Sequence, residues 1–577
     1  MLAVEEVVAV VAAGGEEEEE VVAVAGVQVA GVMGGDGDGV AWGVVEAAEA
    51  AAEVMEKKER ATATVGGDAE VAEAEEEEAA AAAEKEAVEA VAVAVTKATT
   101  LKGGEEDSQF TKYRENERTL MARDNIRLFS SPFTRLSVLV YLLAAAAAAA
   151  AAPEAEAEAE AEASRFREYL RIDTAQPQPD YAGAAAFLRS EADALGLEAE
   201  TLEFAPGKPL VLLRWPGRRP SLPSLLLNSH TDVVPAEPLK WAHPPFSAHL
   251  DSSSGHIFAR GSQDMKCVGM QYLEAIRRLR AAGFTPDRTI YLSFVPDEEI
   301  GGRDGAGAFA SSSKFEEMNV GLLLDEGLAS PGEEYRVFYG ERCPWWLVIK
   351  ARGAPGHGAK LYDGSAMENL MKSVEIIRRF RTAQFDLVKA GVKAEGEVVS
   401  VNLVYLKAGT PSPTGFVMNL QPSEAEVGLD VRVPPNANPE ELERRIAEEW
   451  APSSRNMTFE FKQKVSVYDM FGKPVITPAD NSNPWWTMLE EAIRKANVKL
   501  GKPEIFPAST DARYFRERGI PAFGFSPMAN TPILLHDHNE FLNKDEYIKG
   551  IEIYESIIRG LASYNKHAED EESRAEL

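Results

Sequence analysis

Short apolar runs, each bounded by glycine or polar residues, recur between residues 202 and 339. Runs of this length that end in turns are typical of buried β-strands. Between two of them, residues 266–282 carry apolar side chains at helical spacing and are followed by Gly283, which predicts a helix. Strands that alternate with helices predict a mostly parallel α/β sheet, and the folded sequence begins near Ser164.

The pattern changes between residues 345 and 464, where two helical stretches fall among four short strand-like stretches. This order predicts a small inserted α+β domain of the ferredoxin-like type. The first pattern then returns in residues 465–565. We therefore predict an α/β domain built from 164–344 and 465–565, interrupted by the insert and followed by a polar tail at 566–577.

The N-terminal part has a different composition. Residues 1–120 are acidic and low in complexity, without a sustained helix or strand period, which predicts disorder. Residues 121–163 contain an apolar and alanine-rich stretch at 136–152, preceded by Arg135 and followed by a Glu-Ala repeat. A basic residue before an apolar stretch and then small residues is typical of a signal peptide. The alternative is a poly-alanine helix within a linker.

Charge and cysteine content narrow the range of partners. The formal net charge is −33, with much of the acidity before residue 164 and no basic stripe, which argues against a nucleic-acid partner. A membrane partner is expected only if residues 136–152 remain as an uncleaved anchor. Cys267 and Cys343 lie outside any CxxC motif, so we expect neither a disulfide framework nor a cysteine-rich zinc site.

Histidine and acidic side chains follow several of the predicted strands. Because the carboxyl ends of neighbouring parallel strands meet at one edge of a sheet, such residues would converge there. A mixed set of imidazole and carboxylate ligands suits Zn²⁺, and an excess of carboxylates suits two metals that share one of them. The candidates are His230, Asp232, Asp264, Glu298, Glu299, Asp325, Glu326 and His536.

Three motifs together resemble the signatures of the M20 family of di-zinc amidohydrolases and peptidases, over about residues 164–565. They are His230-Thr231-Asp232-Val233-Val234-Pro235, Arg260-Gly261-Ser262-Gln263-Asp264-Met265-Lys266 and Val295-Pro296-Asp297-Glu298-Glu299-Ile300-Gly301-Gly302. Four more narrow the resemblance to the branch that hydrolyses N-acyl-L-amino acids. They are Leu324-Asp325-Glu326-Gly327, Pro344-Trp345-Trp346, Gly353-Ala354-Pro355-Gly356-His357 and Leu534-Leu535-His536-Asp537-His538-Asn539-Glu540.

The resemblance implies a zinc-peptidase-like αβα sandwich for the catalytic domain and a lid or dimerisation role for the insert. It also implies two Zn²⁺ ions per subunit. His230 and Glu326 would hold one zinc, Glu299 and His536 the other, and Asp264 would bridge both. The resemblance further implies a homodimer and a cytoplasmic location, whereas the stretch at 136–152 leaves the secretory pathway as an alternative.

The catalytic roles that the resemblance implies fall on three further residues. Asp232 would orient His230 from behind, as metal-bound imidazoles commonly require. Glu298 would be the general base for attack by a metal-bridged hydroxide on an N-acyl-L-amino acid, which releases a carboxylate and the free L-amino acid. His357 would donate to the developing oxyanion, typically in the site of a partner subunit.

Other assignments are open at the level of sequence. His538 is an alternative to His536 as a metal ligand. Only His536 has the H-x-x-x-E spacing to Glu540 that the family shows. Taken singly, Asp264 would serve as a helix cap, and His357 as a turn residue. A dipeptidase or other amidohydrolase of the same fold, and a non-catalytic metal-binding scaffold, are the alternative functions.

Substrate recognition calls for an arginine, because an N-acyl amino acid carries a free α-carboxylate. The candidates are Arg513 and Arg432, of which we prefer Arg513, since Arg432 would also pair with Asp430. Asn419 in the insert is a candidate contact for the acyl carbonyl when the insert closes.

Overall fold

The computed structural model describes residues 156–563. The predictions for residues 1–120, for the segment at 136–152 and for the tail at 566–577 lie outside this part of the chain. A helix covers residues 156–170, so helical structure already includes the end of the predicted Glu-Ala linker. Within the described residues, no helix is long and apolar enough to cross a membrane.

The described chain contains nineteen strands, several of them only two residues long. They are β1 (Glu198–Glu203), β2 (Pro209–Trp215), β3 (Ser224–His230), β4 (His249–Leu250), β5 (His256–Phe258), β6 (Ile290–Val295), β7 (Val320–Asp325), β8 (Val337–Glu341), β9 (Cys343–Arg352), β10 (Gly356–His357), β11 (Ser400–Ala408), β12 (Pro411–Ser412), β13 (Gly415–Phe416), β14 (Leu420–Gln421), β15 (Glu424–Val433), β16 (Met457–Lys464), β17 (Glu504–Phe506), β18 (Ala522–Phe525) and β19 (Phe541–Asn543).

The α-helices range from single turns to a helix of 24 residues. They are α1 (156–170), α2 (Tyr181–Leu195), α3 (Lys266–Ala281), α4 (Ala308–Ala310), α5 (Ser313–Glu317), α6 (Ala366–Lys389), α7 (Pro439–Arg445), α8 (Pro484–Lys495), α9 (Ala512–Arg516) and α10 (Lys544–Ala562).

The large sheet has eight strands in the order β1-β2-β6-β3-β7-β18-β8-β17. Its central strands β6, β3, β7 and β18 run parallel, as the strand–helix alternation predicts. The edges are mixed, because β1 and β2 form an antiparallel pair and β8 runs antiparallel to β18. The sheet is therefore a mixed α/β sheet with a parallel centre.

Both faces of this sheet are covered. On β3, Leu225 and Leu227 pack into one core with helices α3 and α10, whereas Leu226 packs into a second core on the opposite face. Strand β7 divides its leucines in the same way. Because successive side chains of a strand point to opposite faces, a sheet with helices on both sides needs such continuous apolar runs. This arrangement confirms the predicted αβα sandwich.

The insert has its own four-stranded antiparallel sheet in the order β11-β15-β9-β16. In chain order its elements are β9, α6, β11, β15, α7 and β16, with Ile446–Trp450 continuing α7 as one turn of π-helix. This strand–helix–strand–strand–helix–strand order is that of a ferredoxin-like domain and confirms the prediction. Its core is separate from those of the large sheet.

Candidate metal centre

Three neighbouring strands deliver the first group of candidate ligands to one edge of the large sheet. Strand β3 ends at His230, which lies opposite Val295, the last residue of β6. Glu298 follows β6 directly, and Glu326 follows β7. The parallel order β6-β3-β7 therefore brings these side chains together at the carboxyl edge, where α/β sheets place their sites.

Asp264 lies between the two histidines that the sequence singles out. Its Oδ1 is 3.1 Å from Nε2 of His230, and its Oδ2 is 3.2 Å from Nε2 of His536. Nε2 of His536 also lies 3.1 Å from Oε2 of Glu299, and Nε2 of His230 lies 3.9 Å from Oε2 of Glu326. All five predicted ligands are thus in one cluster, with Asp264 at its centre.

The donor set fits divalent cations. Ligand atoms of His230, Asp264 and Glu299 lie within 4.8 Å of one another, as do those of His230, Glu298 and Glu326. Four carboxylates share this largely buried space with two imidazoles, and such a concentration of negative charge needs compensation. Imidazole and carboxylate ligands in two adjoining groups are the set that Zn²⁺ or a similar metal pair prefers.

Electrostatics within the cluster depend on the two histidines. Burial alone would raise the pKa of Asp264, but hydrogen bonds from His230 and His536 outweigh burial and lower it. The same contacts with Asp264 and Glu299 raise the pKa of His536 to about 10. The histidines therefore act as the cationic partners of these carboxylates, a role that metal ions would take over in a loaded site.

Glu298 has the environment expected of a proton carrier. Burial raises its pKa to about 8, against the opposing charges of His230 and Arg513, and Glu299 and Asp264 add to the rise. Its carboxylate lies 3.6 Å from Nη1 of Arg513. Divalent cations beside this carboxyl would lower its pKa again and restore the ionised form near neutral pH.

The structure gives Asp232 a contact different from the predicted one. Its carboxylate is 3.8 Å from Nδ1 of His230, beyond hydrogen-bond distance, while its backbone carbonyl accepts from that nitrogen at 2.8 Å. The carboxylate instead accepts the backbone N–H groups of Glu298 and Glu299, at 3.1 and 3.3 Å, and the side-chain amide of Gln176 at 2.7 Å. Asp232 thereby fixes both His230 and the turn that carries the two glutamates.

Two of the candidates in the insert, His357 and Asn419, lie apart from this cluster. His357 is exposed on β10, and its Nδ1 accepts a hydrogen bond from the N–H of Ala359. Asn419 is exposed beside it, and its carbonyl accepts the N–H of Gly358 at 2.7 Å. In residues 156–563, no hydrogen bond or ion pair joins His357 or Asn419 to the five predicted ligands.

Both candidate arginines make hydrogen bonds with neighbouring residues. Arg432 binds Asp430 through Nε and Nη2, the pairing that its alternative role predicts, and also donates to Ser509. Arg513 is buried, donates to the carbonyls of Thr510 and Gly301, and lies beside Glu298. Arg513 is therefore the arginine that the structure places in the centre itself.

The remaining histidines within residues 156–563 have other contacts. His538, the alternative ligand, lies 3.7 Å from Glu237. His243 stacks on His249 with ring centroids 3.8 Å apart, and His256 stacks on Phe541. The geometry thus favours His536 over His538 as the ligand.

Two residues near the centre carry no role in the sequence argument. Asp511 is buried, and neither of its carboxylate oxygens has a hydrogen-bond partner, so burial raises its pKa well above the usual range. Glu540 is buried against the segment that carries Asp264. Its spacing from His536 is the only sequence signal for Glu540, and Asp511 has no signal beyond its position two residues before the candidate Arg513.

The sheet, the insert and the centre define a metal-dependent amidohydrolase. The sequence profile of Peptidase family M20/M25/M40 matches residues 226–560. This chain belongs to that family.

Within the family, the chain is similar to aminoacylase-1. It is 46% identical to aminoacylase-1 of Mus musculus over 399 residues, which cover 69% of this chain and 94% of that protein. It is 45% identical to aminoacylase-1 of Dictyostelium discoideum over 405 residues, which cover 69% of this chain and 97% of that protein.

Solved structures of the same fold are more distant in sequence. An aminopeptidase of Bacillus cereus superimposes with a TM-score of 0.54 at 17% identity and covers 70% of this chain and 99% of that one. This likeness supports the fold.

Proposed function

We propose that the chain hydrolyses N-acyl-L-amino acids, N-acetyl amino acids among them, to a carboxylate and the free L-amino acid. The observation that carries the proposal is the cluster of five ligands around Asp264 with the separate carboxylate of Glu298 beside it. The identity to the aminoacylase-1 proteins spans both the catalytic domain and the insert, which supports this substrate class over others of the fold.

The proposed metals are two Zn²⁺ ions. His230 and Glu326 would hold one, Glu299 and His536 the other, and the two oxygens of Asp264 would face one ion each, as its contacts with both histidines support. When bound, two such ions supply a water activated near neutral pH and polarise the amide carbonyl.

Glu298 is the proposed general base and acid. When an amide is hydrolysed, its nitrogen departs only after it is protonated to an amine. One group must therefore take a proton from water and return it to the departing nitrogen. Glu298 lies beside the proposed ligands, and the two adjacent carboxylates take different positions. Glu298 groups with His230 and Glu326, whereas Glu299 groups with His230 and Asp264. His357, supplied by the insert of a second subunit, is the proposed donor to the oxyanion.

Arg513 is the proposed partner of the substrate's α-carboxylate, because it lies 3.6 Å from Glu298 and the α-carboxylate is only two bonds from the scissile nitrogen. Arg432 would first have to release Asp430, with which it makes two hydrogen bonds. Arg513→Lys should therefore raise KM for N-acetyl-methionine more than Arg432→Lys.

We also propose a homodimer formed through the insert. Strand β11 is an edge strand of the insert sheet, and four successive apolar residues of it, 403–406, are each at least 37% exposed. An unpaired edge with apolar side chains is a surface that natural proteins cover. Val404→Lys should give monomers by light scattering, whereas Thr201→Lys on β1, an edge strand of the large sheet, should leave a dimer intact.

The substrate assay is a direct comparison of two amides. Zinc-loaded protein should hydrolyse N-acetyl-methionine, and a zinc chelator should abolish this activity. Glycyl-methionine differs from N-acetyl-methionine only by a free amino group on the acyl part and serves as the control. A dipeptide hydrolysed faster than N-acetyl-methionine would reject the proposed substrate class in favour of a dipeptidase.

A further inference from the structure

The segments that carry Asp264 and His536 are joined through the buried carboxylate of Glu540. Its Oε1 accepts the backbone N–H of Gln263 at 2.6 Å and that of Asp264 at 3.3 Å. Its Oε2 accepts the N–H of Gly261 at 3.2 Å and Nη1 of Arg260 at 2.7 Å. A carboxylate with several such donors is a strong, charge-assisted anchor.

The side chain of Gln263 makes the reverse connection. Its Nε2 donates to the carbonyls of Pro532 and Phe541, at 3.0 and 2.7 Å, and its Oε1 accepts the N–H of Leu534 at 3.0 Å. Gln263 is buried, so all three contacts are made away from water. Each segment therefore holds the backbone of the other, from both sides of His536.

This connection matters because His536 has a different support from His230. His230 is the last residue of a central strand, whereas His536 lies in a loop, with 55% of its side chain exposed and φ at +64°. A strand in the middle of a sheet fixes its end residue by ladder hydrogen bonds, but a loop residue needs other contacts to fix it.

We propose that Glu540 and Gln263 form a reciprocal clasp that sets the separation of Asp264 and His536. Both are positioning residues, and the clasp determines metal affinity at the position formed by Asp264, Glu299 and His536. The proposal rests on the ligand set given under the proposed function. Partners behind metal ligands commonly change metal affinity by about 10–100-fold when they are replaced.

The test measures Zn²⁺ binding by competition with a chromophoric chelator. The clasp variants are Glu540→Gln and Gln263→Leu, and the control is Glu274→Gln. Glu274 is also a buried carboxylate, paired with Arg165 at 2.6 Å and with Arg277 at 3.0 Å. Glu274→Gln therefore reproduces the loss of a buried ionic contact.

We expect two zinc equivalents in the wild type. Both clasp variants should keep the Zn²⁺ affinity of the position formed by His230, Asp264 and Glu326. At the position formed by Asp264, Glu299 and His536 they should lose about 10–100-fold in affinity, as replacement of partners behind metal ligands does. Their kcat should recover when free Zn²⁺ is raised, with little change in KM. Glu274→Gln should melt at a lower temperature and keep both affinities.

Unchanged affinities in Glu540→Gln and Gln263→Leu, with melting lowered as in the control, would overturn the clasp. If Glu540→Gln does not fold, Gln263→Leu decides alone. His536→Ala distinguishes a wrong ligand set from a wrong clasp, because the variant should lose one equivalent of zinc if His536 is a ligand. Retention of both equivalents by His536→Ala would reject the ligand set, and the clasp with it.

Discussion

The proposed reaction depends on the carboxylate of Glu298. Glu298→Gln should keep both zinc equivalents and lose several orders of magnitude in kcat, because an amide of the same shape cannot carry the proton. Zinc content by mass spectrometry and turnover of N-acetyl-methionine measure the two effects separately.

The adjacent Glu299 provides the matched control for this substitution. Glu299→Gln should weaken zinc binding, because its carboxylate lies 3.1 Å from Nε2 of His536 within the ligand cluster. If Glu298→Gln turned over substrate at a near-normal rate with full zinc, the general base would be another group.

His357 tests whether two subunits share a site. A donor to the oxyanion is commonly worth about 10²–10³-fold in kcat, so His357→Ala should bind zinc normally and lose activity by about that factor. Mixing His357→Ala with Glu298→Gln should restore activity, because each mixed dimer would have one site with both groups intact. Subunit exchange confirmed by differently tagged chains, without any recovery, would contradict the shared site.

The clustering of the proposed metal ligands is predictable from the sequence, because each stands at a strand end or in a motif of fixed order. The contacts behind them were not predictable in the same way. Asp232 contacts the ring of His230 through its backbone carbonyl, while its carboxylate holds the N–H groups of Glu298 and Glu299. Such contacts depend on side-chain direction and on which loops meet, and neither leaves a periodic pattern in the sequence.

Helix α1 also makes a contact that the sequence pattern does not predict. The Glu-Ala repeat has a strong helical composition, but its sequence gives no sign that one glutamate is buried. In the structure, Glu162 is fully buried and binds Arg278 of α3 through two hydrogen bonds of 2.7 and 2.8 Å. Folded structure therefore includes residues before the predicted start at Ser164.

The contact between α1 and α3 predicts how N-terminal truncation changes stability. A chain that begins at residue 156 should be as stable as the full chain, whereas one that begins at Ser164 removes Glu162 and leaves the guanidinium of Arg278 without this partner. Loss of a partner for a largely buried charge should lower the free energy of unfolding by about 1–3 kcal/mol. Urea unfolding of both truncations measures the difference.

Glu162→Gln in the longer truncation isolates the ion pair from the rest of the helix. It should account for part of the loss seen on truncation at Ser164. Equal stability of the two truncations would show that residues 156–163 do not contribute to the fold.

Most other elements follow from pattern alone. The helix predicted over 266–282 is α3, and the insert has the predicted order of strands and helices. Helix α6 extends to Lys389, although its last turns are largely exposed and carry no continuous apolar stripe. Hydrophobic pattern finds the buried part of a helix and not its solvent-exposed end.

At the scale of the whole molecule, the metal centre couples stability to pH. Without metal, the raised pKa of Glu298, about 8 against 4.5 in an unfolded chain, stabilises the folded protein only while the carboxyl is protonated. The raised pKa of His536, about 10 against 6.5, gives a contribution that is complete below 6.5 and is lost as pH rises through 10. The lowered pKa of Asp264 adds a constant contribution above 3.8.

The raised pKa values of Glu298 and His536 therefore predict that the metal-free protein loses stability as pH rises from weakly acid to alkaline. Zinc acts in the opposite direction, because its ligands must be deprotonated and its affinity rises with pH. The stabilisation by zinc, about 2.7 kcal/mol per site when free zinc is 100 times Kd, should thus grow between about pH 5.5 and 8.5. Denaturant unfolding with and without chelator across this range measures it. A constant or falling difference would mean that His536 does not hold the metal, since its proton would then not compete with the ion.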